Sequence, residues 1–134
     1  MKERHLARII AFQSLYAWDL GNNPGLETVT EFEWTKDPLQ DDVKTFARFL
    51  VTGTIENITE IDSIINEHLH RWELKRLAKV DLAVLRLSVY SLKYQKDVPE
   101  AVTINEAVEI AKEFGSEKSY KFINGILDNI RKSS

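Results

Sequence analysis

Three cations, a histidine and one carboxylate crowd the first ten residues: Lys2, Arg4, Arg8 and His5 beside Glu3. Arg4 and Arg8 are four apart, so on a helix they share one stripe. A short run of cations suits phosphate, held by charge rather than transformed. The other residues able to do chemistry are dispersed. Glu67, His68 and His70 resemble a metal set, but positions two apart on a helix point in different directions and do not grip one ion. Asp41 and Asp42 stand where a helix begins, and capping accounts for them. No Gly-rich phosphate loop, nucleophile elbow or H-E-x-x-H motif occurs. The sequence assembles no nucleophile, base and orienting group, so neither catalysis nor a cofactor is expected. Cysteine is absent, which excludes a disulfide framework, a Cys-ligated zinc and a thiol nucleophile and fits a reducing cytoplasm.

The formal net charge of −3 argues mildly against nucleic acid until it is taken apart. Residues 21–70 hold ten acidic and three basic side chains, whereas residues 71–99 hold seven basic and three acidic. The chain is electrostatically segmented, and a basic arm on an acidic body binds phosphate locally while the total stays negative. At 134 residues, 43% apolar and 29% charged, the sequence is expected to form one domain with a substantial core. No apolar run of about 18 residues exists to span a membrane. The N-terminus lacks the apolar stretch of a secretory signal.

The elements that must position these residues are helical. Leu6, Ile9, Ile10, Phe12 and Tyr16 recur at three- and four-residue spacing over 3–20. Gly21-Asn22-Asn23-Pro24-Gly25 breaks that pattern. Residues 26–40 read as a loop anchored by Phe32 and Trp34, ended by Pro38. Asp41 caps a helix carrying Val43, Phe46, Ala47 and Leu50. Thr59 and Asp62 resemble a capping box for the next, whose buried stripe is Ile61, Ile65, Leu69 and Trp72. A helix at 79–95 is apolar on two stripes, so it is expected at the centre, packed on several sides. Thr103 and Glu106 form a second capping box, starting a helix that ends near Gly115, and Ser116 can cap the last helix. Tyr120, Ile123, Leu127 and Ile130 are its buried stripe, and Gly125 within it suggests a close helix–helix approach. The fold class is therefore all-α: a single domain of about six or seven helices, arranged as two small packed bundles sharing the 79–95 helix. Arg86 and Glu106 read as structural, an ion pair or cap joining helices, and Phe122 reads as core.

The C-terminal third carries ordered blocks: VDLAVLRLSVY from Val80, Asp97-Val98-Pro99, Thr103-Ile104-Asn105-Glu106-Ala107, AKEFG ending at Gly115, and KFINGILD from Lys121. With Ala7-Arg8 and Gln13-Ser14-Leu15-Tyr16-Ala17-Trp18, they resemble the NusB family of bacterial transcription antitermination factors. The resemblance spans the chain, though the loop at 21–40 carries little of it. It implies an all-helical fold that works without catalysis. It also implies joint binding, with the ribosomal protein NusE, of boxA-type single-stranded RNA, within an RNA polymerase antitermination complex serving ribosomal RNA operons. Carried over residue by residue, it assigns RNA contact to Lys2, Arg4, His5, Arg8, Gln13, Lys118 and Ser119. It assigns contact with the protein partner to Tyr16 and Asp81. Lys118 stands where relatives can carry an acidic residue, and Ser91 where they often have glutamate. A partner surface left empty can pair with a second copy, so a homodimer is compatible. The alternative function is a helical protein-interaction module with weak or lost RNA binding, indifferent to Lys2, Arg4 and Lys118.

Overall fold

The computed structural model describes residues 2–21, 25, 30–32, 35, 38–69 and 73–133. Their regular elements are α1 (Lys2–Leu20), α2 (Asp41–Glu56), α3 (Ile58–Glu67), a short 3-10 turn (Leu74–Arg76), α4 (Lys79–Tyr94), α5 (Glu100–Phe114) and α6 (Ser119–Ser133). Helix α4 is the hub. Every residue from Leu82 to Leu92 is buried, because α1, α2, α3, α5 and α6 all pack on it. Two apolar stripes on one helix produce this outcome: no face is left for water. The N-terminal helices gather on one side of α4, and the α5–α6 pair closes the other.

The main core runs through Leu15, Leu50, Ile61, Ile65, Leu85, Ile110, Ile123 and Leu127, all fully buried. Each such side chain contributes about 1.5–3 kcal/mol of burial free energy. A second cluster joins Ala7 and Ile10 of α1 to Val43 and Ala47 of α2 through Phe32. Phe32 is the loop anchor that its aromatic character announces, and it sits at φ 58 in the left-handed region. That conformation is strained for a bulky residue, and burial of the ring holds it. Trp34, Trp72 and His70 lie outside the described residues.

Several local expectations are corrected. Helix α5 begins at Glu100, not Thr103, because the Pro99 carbonyl accepts the first helical bonds from Val102 and Thr103. Thr103 is consequently a buried residue inside the helix rather than its cap. Helix α3 begins at Ile58 without a side-chain cap. The Thr59–Asp62 box does not form, since Arg86 claims the Asp62 carboxylate. Asp41 is the first helical residue of α2 rather than its cap. The Gly125 expectation also fails. A side chain added there would meet nothing within 4 Å, so no neighbouring helix approaches it. Arg86 and Glu106 are structural but do not meet. Arg86 bridges Asp62 and Asp19, and Glu106 pairs with His5. Ser91, where relatives often have glutamate, gives its hydroxyl to Gln95 at 2.5 Å.

The close approach instead occurs at Gly53, where an added Cβ would lie 2.2 Å from the Tyr90 ring. Tyr90 is wedged between Phe49 and Tyr94, so the ring has little room to retreat. The Gly53→Ala variant is expected to lose about 1–2 kcal/mol, overpacking outweighing the gain in helix propensity. Urea denaturation checks this: an unchanged or higher midpoint would show that Tyr90 swings away freely.

Candidate nucleic-acid interface

The residues singled out by the sequence fall into two groups. The first lies at the start of α1. Arg4 is exposed, and its guanidinium carbon sits 3.9 Å from the centroid of Phe46 on α2. Arg8, one turn on, is 5.7 Å from the same ring but only 7% exposed. Burial pushes the Arg8 guanidinium below its ordinary basicity, Glu106 partly restores it, and Arg4 opposes. The two arginines share a stripe as expected, yet they differ in role: Arg4 meets solvent, whereas Arg8 is packed beneath it. His5 is half-buried, and its Nδ1 lies 2.5 Å from a Glu106 carboxylate oxygen, tying the arm to α5. Lys2 opens α1, and its side chain is outside the described residues.

At about 100° per residue, His5, Gln13 and Tyr16 fall within an arc of about 80° on α1. Arg4 and Arg8 are turned away from Gln13, toward α2. Tyr16 is half-buried against the main core. Leu20, one turn on, is 52% exposed.

The second group converges on a hollow of about 320 Å³ between the start of α4 and the start of α6. Asp81, Lys118 and Ser119 all line it, together with Arg76 and Phe122. Asp81 and Lys118, which the resemblance gave to different partners, thus share one cavity. The buried Asp81 Oδ1 accepts no hydrogen bond from the described residues. A buried carboxylate oxygen without a donor is costly, so a donor from outside is favoured there. Lys118 is exposed beside it. Ser119 is 2% exposed, and its hydroxyl accepts the Ser116 N–H at 2.9 Å. It therefore organises the α6 start from within, the reverse of the cap expected from Ser116. Phe122 is half-buried, packing on the core while lining the hollow. Sequence reasoning missed Arg76. Its signal was the basic surplus of residues 71–99, but a single turn of 3-10 helix gives no periodicity to place it.

Catalytic geometry does not arise from these groups. Among the described residues, no cluster of three or more His, Cys, Asp or Glu could hold a metal ion. His68 hydrogen-bonds through its ring to the Ile64 carbonyl and the Ser133 hydroxyl. Among those residues, too, no helix is long and apolar enough to cross a membrane.

Known proteins share the fold that holds these groups. The NusB family model matches residues 5–132. The transcription antitermination protein NusB of Treponema denticola is 50% identical over 133 residues, covering 98% of this chain and 97% of that protein. The structure of T. maritima NusB matches with a TM-score of 0.89 at 42% identity, over 96% of this chain and 90% of the other. A structure of the antitermination factors NusB and NusE in complex with dsRNA matches with a TM-score of 0.83 at 37% identity, over 100% and 99% of the two chains. Arm, hub helix and hollow therefore sit in a frame shared from end to end, and the chain belongs to the NusB family.

Proposed function

We propose that the chain is a cytoplasmic antitermination factor that works without catalysis, binding boxA-type RNA jointly with the ribosomal protein NusE to support read-through of ribosomal RNA operons. The observation that carries this reading is the hollow in which Lys118 stands beside the unpaired Asp81. A cation for phosphate and an acceptor for a protein donor at one spot suit a junction where RNA and protein meet. Tyr16 and the exposed Leu20 supply apolar surface on α1, as a protein partner requires. His5 and Gln13 extend the RNA contact along one face of α1 and Arg4 along the face toward α2, with Lys2 at the start of the helix and Arg8 and Ser119 holding the surface from beneath.

The exposed cations at the start of α1 and at the start of α6 are few, so RNA binding by the chain alone is weak and the partner supplies the rest. Titration of a boxA single strand, with and without NusE, at two salt concentrations, tests this. The partner should tighten binding at least tenfold, and affinity should fall as salt rises, because phosphate contacts release counterions. A duplex of the same sequence should bind less well, since base edges are read from single strands. No gain from NusE would overturn the reading.

A further inference from the structure

Beyond the arm, a chain of four touching aromatic rings crosses from α2 to α4, with Phe46 half-buried, Tyr90 buried, and Phe49 and Tyr94 exposed. The row starts where Arg4 lies on Phe46. Phe46 stacks on Phe49 at 6.5 Å between centroids and 21° between planes. Phe49 meets Tyr90 edge-on at 6.0 Å, and Tyr90 stacks on Tyr94 at 5.3 Å. Phe49 is 51% exposed and Tyr94 40% exposed. Single exposed aromatics are ordinary, but Phe49 is a ring held out to solvent on a half-buried ring that a cation already covers.

The lining of the row points to its occupant. A hollow of about 390 Å³ opens at Phe49 and Tyr90, bordered by Thr45, Thr52, Asn57, Glu56 and Arg48, whose guanidinium also donates to the Thr30 carbonyl at 3.3 Å. Hydroxyls and a guanidinium around an exposed ring match a nucleobase, with its flat face and polar edge, better than the apolar face of a helix. Charge sets the direction of the track. Arg4 and Arg48 lie at the near end, whereas Glu56, on the wall of the same hollow, and Glu60 lie toward the far end, where Tyr94 donates its hydroxyl proton to Glu60. Phosphate suits the Arg48 side of Phe49 and is repelled on the Glu56 side.

Resting on the RNA reading above, we propose that the Phe46–Phe49 edge of α2, with Arg48, is a stacking subsite for one or two unpaired nucleotides flanking the element held by α1. It lengthens the RNA path from Arg4 along α2, toward the C-terminal half of α4. The hollow of Asp81 and Lys118 lies at the opposite end of α4, Asp81 standing about 14 Å from Tyr90 along that helix.

The test uses the full chain with NusE and three RNAs: the core element alone, and the core lengthened by two nucleotides at either end, each extension carrying fluorescent aminopurine. One extension should tighten binding about fivefold or more and lose fluorescence on binding. Phe49→Leu should abolish both effects while leaving core affinity intact, and Phe49→Trp should restore them. Thermal melts of both variants check that the fold is retained. If neither extension gains, or the gain survives Phe49→Leu, the subsite is disproved. If Phe49→Leu instead weakens NusE binding in the absence of RNA, the row docks protein and the proposal falls. If even the core element fails to bind, the RNA reading of the preceding section fails and takes this one with it.

Discussion

Replacing Arg86 with methionine is expected to cost about 3 kcal/mol of folding stability. The Arg86 side chain is 10% exposed, and its Nε and one terminal nitrogen each donate to Asp62 at 2.9 Å. Its other terminal nitrogen lies 3.5 Å from Asp19, whose second oxygen is 3.3 Å from Lys79. One guanidinium thus ties the hub helix to α1 and α3 together. Formation of the cluster is not itself evidence of large stabilisation, because removing charges from water costs about as much as pairing them returns. Breaking it is different: Asp62 is left largely buried without its counter-ion, while Asp19 keeps Lys79. Urea denaturation should show a lower midpoint with an unchanged slope. Adding Asp62→Leu to the Arg86→Met variant should recover part of the loss, since no orphaned charge then remains. No recovery would mean that the cost lies in the packing of the arginine stem rather than in its charge.

This cluster also shows how far the sequence could be read. The helices followed from apolar spacing between Gly and Pro breaks, though not their capped starts, and the hub helix from its doubled stripe, because burial on all sides leaves that imprint. Arg86 was recognisable as structural for the same reason: a cation inside such a stripe must be paired. Its partners were not recognisable. Asp62 looked like half of a capping box, since three-residue spacing from a threonine is common to both uses. Only the packing of α3 on α4 decides between them. Thr103 misled similarly, with Pro99 four residues earlier already able to start the helix. At the candidate interface, residue types were legible and depth was not. Arg4 and Arg8 are indistinguishable by spacing, yet one is at the surface and the other beneath it, because Phe46 comes from an element more than thirty residues away. The hollow at Asp81 and Lys118 was invisible for the same reason, joining helices nearly forty residues apart. Gly53 and Gly125 complete the lesson. Both are helical glycines, and only the neighbour across the gap distinguishes a close contact from open space.

The difference in depth between Arg4 and Arg8 is expected to appear directly in RNA binding. Arg4→Glu should weaken boxA binding by the NusE complex at least tenfold, because it removes an exposed cation and puts an anion against the phosphates. Arg4→Ala should lower the slope of log affinity against log salt by about one, the signature of a single lost phosphate contact. The fold should tolerate both changes, since an exposed cation–π contact contributes only about 0.5–1 kcal/mol. Arg8→Met should behave otherwise. Its guanidinium is already depressed by burial, and methionine fills similar space without the desolvation cost. Glu106 retains His5 as a partner. The salt slope should therefore stay at the parent value, and affinity should change little. Filter binding across a salt series separates these outcomes. An equal slope loss at Arg8 would mean that the buried guanidinium emerges to meet the RNA, which requires α1 and Phe46 to part. In that case Arg8→Met should bind RNA more weakly while the free protein's denaturation midpoint stays close to the parent value.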